Sequence, residues 1–308
     1  MHFKFPFFSN FLFFSNPNIQ LNQEIVNLSN RDLNNTSMIE LTEQSNNEKI
    51  KSLNLSKNKI KDEGLKILFA NLKIKNLRNL DLSENIFEDT GAKEIAKFIG
   101  KNTTLKYFNI SYNKISEIGM KEILKGLKLN KTLLGINLSG LITSKEIFQD
   151  LVDSIKENKN LECLYLNHLK IGQIDYFCEQ FLKNTNSLKI LSFYSSNLQN
   201  DHISLLFKSL LHNRSLSKLD LRFNNNIYHL DTPLICNVLK NNTNFVYFDV
   251  RGNFQLTYNS TEINLLLKKN QTLIVVKKFL LIIRKIKNSI LSVLPRRLLI
   301  YLFNFLTY

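Results

Sequence analysis

The sequence has little of what enzymes and metal-binding proteins usually need. Its 308 residues include only three cysteines and nine glycines. Cys163, Cys178 and Cys236 show neither paired nor metal-ligand spacing, which favours free thiols and a reducing, cytoplasmic environment. No HExxH, Walker-type GxxxxGK, GxSxG or CxxC motif occurs. These absences predict a protein without a metal ion, a cofactor or a catalytic centre.

Long apolar runs and acidic residues near the end are also missing. No apolar run approaches the roughly 20 residues that a membrane-spanning helix needs, and arginines interrupt the two runs after residue 272. No acidic residue follows Glu262, whereas nine lysines and arginines do. That leaves +6 of the net charge of +15 for residues 1–262. The basic character therefore belongs mainly to the tail, and no nucleic-acid surface is expected on the rest.

What the sequence does have is a repeat. Leu77, Leu80 and Leu82 take the first, fourth and sixth places of a unit whose ninth residue is Asn85. Such units begin near Gln23, Ile50, Leu77, Leu105, Leu133, Leu161, Leu188, Leu216 and Phe245. The successive intervals are 27, 27, 28, 28, 28, 27, 28 and 29 residues. A period this regular indicates a stack of about nine units, each too small to bury its own apolar face.

Each unit combines a strand pattern with a helix pattern. Leucines at the fourth and sixth places, such as Leu53 and Leu55, predict a short strand that turns both into the core. Apolar residues at helical spacing, as in Ile147, Leu151 and Ile155, predict a helix in the second half. Right-handed crossovers of constant length then give an α/β solenoid shaped like a horseshoe. Its parallel strands should line the concave face and its helices the convex face.

Asparagine at the ninth place should satisfy backbone groups where each strand turns. It occurs at Asn58, Asn85, Asn113, Asn224 and Asn253. The middle repeats carry Leu141, Leu169 and Ser196 there instead. Irregular turns are expected at these three places.

Three features occur together: the period, the LxxLxLxxN spacing, and an acidic residue with a glycine that open each early helix. Asp62 with Gly64, and Asp89 with Gly91, show the last feature. In these respects the chain resembles the ribonuclease-inhibitor-like subfamily of leucine-rich repeat proteins over residues 23–271. The resemblance implies a non-enzymatic scaffold that binds a protein partner on its concave face. It does not name the partner, because this fold serves many functions.

The third, fifth, seventh and eighth places of each unit should face the concavity. The aromatic and charged residues singled out there are Tyr107, Tyr112, Tyr165, Tyr194, Asp220, Arg222, Phe223, Tyr247, Asp249 and Arg251. Aromatic residues and arginine are enriched in binding hot spots, so they predict a protein-binding patch. The alternative is that the tyrosines stack on one another and the Arg/Asp pairs form a solvated lattice. Cys163 and His168 also face this side, but no acid that would orient the histidine is evident.

The two ends of the chain depart from the repeat. Residues 1–22 contain a phenylalanine-rich run and predict a hydrophobic cover over the first repeat, with a signal peptide as the alternative. Residues 272–308 predict a basic helical cap for the open end of the stack.

The last segment, LPRRLLIYLFNFLTY at 294–308, resembles the opening of an F-box and the end of a SOCS box. Either resemblance would imply an alternative function, the substrate-recognition adaptor of a cullin-type ubiquitin ligase, with ligase subunits bound through residues 272–308. Contact of the basic tail with an anionic membrane surface is a third alternative.

Overall fold

The fold is described from a computed structural model of the chain. The described residues are 24–44, 49–72, 74–142, 144–156, 158–169, 174–253 and 260–286. Residues 1–22, predicted to be the N-terminal cover, and the F-box-like and SOCS-box-like segment 294–308 lie outside this range.

Within the described residues, nine parallel strands form one sheet in chain order. They are β1 (Ile25–Asn27), β2 (Ser52–Asn54), β3 (Asn79–Asp81), β4 (Tyr107–Asn109), β5 (Gly135–Asn137), β6 (Cys163–Tyr165), β7 (Ile190–Ser192), β8 (Lys218–Asp220) and β9 (Tyr247–Asp249). The register between neighbours is one whole repeat, so that Leu80 pairs with Phe108. This arrangement confirms the predicted α/β solenoid.

A helix follows every strand in the described part of the chain. The helices are α1 (Asn35–Gln44), α2 (Asp62–Asn71), α3 (Asp89–Lys101), α4 (Glu117–Leu129), α5 (Lys145–Ile155), α6 (Ile174–Phe177), α7 (Asn200–Leu210), α8 (Thr232–Asn241) and α9 (Ser260–Ile286). A π-helical turn, Cys178–Leu182, continues α6. None of these described helices is both long enough and apolar enough to cross a membrane.

The core lies between the sheet and the helices. The fourth and sixth residues of the first eight repeats are buried as predicted, for example Leu53 and Leu55, which have no exposed surface, whereas Phe248 in the ninth repeat is only partly buried. Helix residues such as Ile147, Leu151 and Ile155 form the other side of the core and are equally buried. One apolar cluster connects the repeats from Val26 to Leu267. Each repeat thus buries its apolar face against its neighbours.

The acidic residue and the glycine in the first turn of the early helices have a shared structural cause. Asp62 Oδ1 accepts a hydrogen bond of 2.6 Å from the N–H of Glu88, just before the helix of the following repeat. A Cβ atom at Gly91 in that helix would lie 2.7 Å from the same oxygen. The carboxylate of one repeat therefore bonds to the entrance of the next helix, and glycine leaves the space that it needs.

The predicted asparagine ladder is present, and Asn224 shows how it works. Its Nδ2 donates to the carbonyl oxygens of Phe193 and Leu221, each at 2.9 Å. Its Oδ1 accepts from the N–H groups of Ser196 at 2.9 Å and Leu198 at 3.0 Å. One buried amide thus satisfies four backbone groups in two successive repeats.

The expected irregularity at Ser196 is wrong. The Ser196 hydroxyl donates to the Leu166 carbonyl oxygen at 3.0 Å and accepts from the Leu169 N–H at 3.3 Å. It therefore bonds the same kinds of groups as the asparagines do. At Leu141 the ladder does lapse, and the Leu141 N–H donates within its own repeat to the Leu138 carbonyl at 3.1 Å.

The last helix, α9, runs without a break across the predicted boundary at 271/272. Ile263 and Leu267 in its first half are buried in the core. Farther along, Val275 is 67% exposed and Phe279 is 47% exposed. The first part of the predicted cap is therefore a continuation of the ninth-repeat helix.

Candidate binding surface on the concave side

Every strand ends in the same left-handed turn at the eighth residue of its repeat. The residues with this positive φ are Asn30, Lys57, Glu84, Tyr112, Gly140, His168, Ser195, Phe223 and Gly252. A residue other than glycine adopts it at a cost of about 1 kcal/mol. A hydrogen bond to the next repeat offsets this cost, as when the Tyr112 N–H donates to the Ser139 carbonyl at 3.0 Å. The turn places the eighth side chains side by side, at the carboxyl edge of the sheet.

Four rings form a continuous row along this edge, which we call the aromatic row: Tyr112, His168, Tyr194 and Phe223. The ring centroids are 5.7 Å apart from Tyr112 to His168, 5.4 Å from His168 to Tyr194 and 5.2 Å from Tyr194 to Phe223. The contacts are edge-to-face or tilted, which is the favoured geometry for aromatic pairs. The terminal residues of the row, Tyr112 and Phe223, are 43% and 46% exposed.

Two glycines leave room for the rings at the ends of the aromatic row. A Cβ atom at Gly140 would lie 2.8 Å from Cδ1 of Tyr112, and one at Gly252 would lie 2.7 Å from Cδ1 of Phe223. Each ring therefore lies directly on the backbone of a glycine at the eighth place of the next repeat. Both glycines have positive φ, so a side chain there would be strained as well as crowded.

Arg222 contacts the aromatic row at Tyr194. Its guanidinium carbon lies 5.3 Å from the centroid of the Tyr194 ring, within cation–π range. Its Nε and Nη2 donate to the two carboxylate oxygens of Asp220 at 2.9 and 2.7 Å. Hydrogen bonding to Asp220 raises the pKa of Arg222 above its ordinary value, and this two-point contact fixes the guanidinium under the ring.

Half of the ten predicted binding residues are not accessible. The buried members are Tyr107, Tyr165, Asp220, Arg222 and Asp249. The expectation that these side chains are open to a partner is wrong, because strands stand only about 4.8 Å apart and large side chains on the same face cover one another. Tyr107, Cys163 and Tyr165 form a second apolar cluster that is separate from the main core. This part of the concave face corresponds to the stacked alternative.

The accessible members lie at the seventh and eighth places and in the last repeat. Tyr112, Phe223 and Arg251 are exposed, while Tyr194 and Tyr247 are partly exposed. Arg251 is held by Asp249 through bonds from Nε at 2.9 Å and Nη2 at 2.5 Å. His168 was given no binding role from the sequence, although the structure places it at the centre of the aromatic row. Its eighth place, shared with Tyr112 and Phe223, was the signal that could have identified it.

The geometry does not favour the Cys163–His168 pair as a nucleophile and base. Burial raises the pKa of the Cys163 thiol to about 12, so it stays protonated at neutral pH. The His168 ring packs between Tyr112 and Tyr194, and loss of solvent there lowers its pKa from 6.5. Among the residues that the structure describes, no three His, Cys, Asp or Glu side chains come together in a way that could hold a metal ion.

Comparisons with known proteins agree with this architecture. A family model described as Leucine Rich repeat matches residues 46–68, 73–96 and 101–124. No curated protein sequence is significantly similar to the chain. The crystal structure of the leucine-rich repeat-containing protein LegL7 from Legionella pneumophila is 17% identical, with a TM-score of 0.51. That alignment covers 80% of this chain and 89% of LegL7.

A second solved structure, Leiomodin-1 Actin-Binding Site 2, is 21% identical and has a TM-score of 0.30. That alignment covers 46% of this chain and 69% of the Leiomodin-1 chain. The ribonuclease-inhibitor-like assignment within the wider family stays a prediction. The repeated sequence unit, the single parallel sheet and the matching family model show that the chain is a leucine-rich repeat protein.

Proposed function

We propose that the chain is a non-enzymatic protein-interaction module that binds a protein partner along the aromatic row. The observation that carries this proposal is the unbroken contact from Tyr112 through His168 and Tyr194 to Phe223, with exposed rings at both ends. Large rings that are already fixed in position lose little entropy when a partner covers them. A protein loop or extended segment lying across the fourth to eighth repeats would contact the whole row.

The charges around the row favour a protein over a nucleic acid. Arg222 is paired with Asp220, and Arg251 with Asp249, so the arginines here are locally neutralised. Lys57 and Glu84 likewise pair at 3.5 Å near the other end of the sheet. Nucleic-acid binding depends on an excess of positive charge facing the phosphates, which these pairs do not supply.

A cytoplasmic location fits the same proposal. Cys163, Cys178 and Cys236 are free and buried. Free thiols of this kind are usual in reducing compartments.

Site-specific photo-crosslinking in cells tests the proposal. A photoreactive phenylalanine analogue at Phe223 should crosslink a partner protein, whereas the same analogue at Ile118, 68% exposed in α4, should not. The double variant Tyr112→Ser, Phe223→Ser should lose that partner, and the control Ile118→Ser should keep it. All three positions are exposed, so the variants are expected to fold. Partner capture that is equal in the double variant and the wild type would contradict the proposal.

A further inference from the structure

The helices on the convex side are unevenly spaced, and two pairs of residues explain why. Counted from the first residue of their repeats, Phe69 and Ala96 are both the twentieth residue, and Phe98 and Gly126 are both the twenty-second. Phe69 and Phe98 stack between α2 and α3 with centroids 4.3 Å apart and planes at 13°. At the equivalent contact between α3 and α4, a Cβ atom on Gly126 would lie 2.5 Å from the Ala96 carbonyl oxygen. Small residues let α4 approach α3 closely, whereas two stacked rings occupy the space between α2 and α3.

The separation of α2 and α3 leaves an open groove of about 620 Å³, which we call the α2–α3 groove. Its lining residues are Lys66, Phe69 and Ala70 from α2, and Glu94, Lys97, Phe98, Lys101 and Asn102 from α3 and its end. Both phenylalanines are half-buried, so the stacked rings present apolar surface to whatever enters the groove.

The charge around the α2–α3 groove is unbalanced. Three lysines line it, but Lys66 pairs with Glu63 at 3.5 Å, and Glu94 is the only acidic residue among the lining residues that the structure describes. Glu94 is already bonded to Lys97 at 2.7 Å. Lys101 lies in the last turn of α3, next to the groove. The apolar surface continues towards α4 at Leu129, which is 70% exposed and whose Cδ1 lies 3.7 Å from the Cβ position of Gly100.

We propose that the α2–α3 groove is a second binding surface, distinct from the aromatic row, that receives an acidic amphipathic segment of a partner protein. An aromatic or leucine side chain of that segment packs on the Phe69–Phe98 pair. Its carboxylates face Lys66, Lys97 and Lys101. The volume lies in the range of ligand-binding clefts, and Lys101, which has no ion pair among the described residues, leaves a net positive charge that favours an acidic segment. A recessed groove between two helices fits a protruding side chain better than it fits a flat lipid surface.

Fluorescence anisotropy with the full chain and a labelled synthetic peptide tests this proposal. The peptide carries two phenylalanines among glutamates, and two control peptides replace either the glutamates by lysine or the phenylalanines by alanine. The first peptide should bind. Each control should bind at least about tenfold more weakly, because the charges and the rings of the first peptide both contact the groove. Binding that is absent, or equal for the lysine peptide, overturns the proposal.

Three variants locate the binding site on the chain. The double variant Lys97→Glu, Lys101→Glu should weaken binding by about tenfold or more, because it reverses the charge of the groove. Lys208→Glu, in the last turn of α7, changes an equivalent helix end far from the groove and should leave binding unchanged. Ala70→Phe adds a ring at an exposed lining position and should block the groove without touching the core.

The outcomes separate this proposal from its alternatives. The double variant Tyr112→Ser, Phe223→Ser should still bind the peptide, so failure of the aromatic row as a site would not affect the result. If Ala70→Phe is folded by circular dichroism and binds the peptide as wild type does, the groove is not the site. If vesicles of phosphatidylserine and phosphatidylcholine displace the peptide and bind in its place, the surface recognises lipid and the proposal is wrong.

Discussion

The close approach of α3 and α4 predicts that one substitution has opposite effects at two neighbouring glycines. Gly100 in α3 and Gly126 in α4 are both helical. A Cβ atom at Gly100 would meet its nearest neighbours at 3.7 Å, which is an ordinary contact. A Cβ atom at Gly126 would lie 2.5 Å from the backbone oxygen of Ala96, and that oxygen cannot rotate away.

The magnitudes follow from these distances. Gly100→Ala should raise the free energy of unfolding by about 0.4–1 kcal/mol, since alanine reduces the entropy of the unfolded chain and favours the helix. Gly126→Ala has the same local benefit, but pushing α4 away from α3 costs about 1–3 kcal/mol. The net result for Gly126→Ala should be a loss of about 0.5–2 kcal/mol, opposite in sign to Gly100→Ala.

Urea unfolding of the wild type and the two variants, followed by circular dichroism at 222 nm, measures the difference. An upward shift of the midpoint for Gly100→Ala and a downward shift for Gly126→Ala, with similar slopes, are expected. If Gly126→Ala stabilises the protein as much as Gly100→Ala does, the helices have room between them. The explanation for the uneven helix spacing would then be wrong.

Further predictions concern the ladder and two ionisable groups. Asn224→Ala should lower the free energy of unfolding by about 3–5 kcal/mol because it leaves three buried backbone groups unpaired, while the Leu221 carbonyl keeps its bond from Asn253. The control Asn226→Ala, at a partly exposed position, should cost under about 0.5 kcal/mol, and equal urea midpoints would contradict this. The lowered pKa of His168 means that the unfolded chain binds this proton more tightly than the folded chain does, so the free energy of unfolding should fall as pH drops below 6.5. In Tyr194→Ala, NMR titration should show that the pKa of His168 rises towards 6.5, and an unchanged pKa would refute the packing argument. Burial raises the pKa of Asp81 above 3.8, so the folded chain binds that proton more tightly and the free energy of unfolding should fall as pH rises above 3.8. In urea unfolding, Asp81→Asn should reduce this dependence of stability on pH, and an unaltered pH dependence would be inconsistent with the argument.

The strands and helices were predictable because every repeat carries the same short-range pattern. Leucines such as Leu80 and Leu82 alternate where a strand needs them, and both are fully buried. The acidic residue that opens a helix was recognisable as a motif, but the group to which it bonds was not. The Asp62 carboxylate bonds to Glu88 in the following repeat, a contact that the stacking of repeats creates.

A second asparagine ladder is present in the structure and has a signal in the sequence. It lies where the chain passes from a helix to the next strand, three residues before the first leucine of a repeat. Asn130 shows the pattern: its Nδ2 donates to the Ile99 carbonyl at 2.6 Å, and its Oδ1 accepts from the Leu133 N–H at 2.8 Å. The spacing N-x-x-L at 130–133 and again at 213–216 was the available signal.

Burial on the concave face could not be predicted from alternation alone. Alternation assigns Tyr165 and Arg222 to that face, but it does not say how closely the neighbouring repeats crowd them. That depends on strand spacing and on the sizes of side chains about 28 positions away in the sequence. Reading the third-place residues of successive repeats together, with Tyr107 beside the small Gly135 and then Cys163, would have indicated the crowding.

Comparison of the nine repeats with one another shows which positions the fold restricts to one kind of residue and which positions vary. The fourth place is apolar in every described strand, because it lies in the core or, at Phe248, packs against it. The eighth place has the same backbone conformation throughout, yet it is asparagine, lysine, glutamate, tyrosine, glycine, histidine, serine or phenylalanine. The fold therefore demands the turn at this place and accepts many side chains there, except at Gly140 and Gly252, where the ring of the preceding repeat leaves no room for a Cβ atom. Three of the four rings of the aromatic row stand at this place, and this variation supports the proposal that they serve binding.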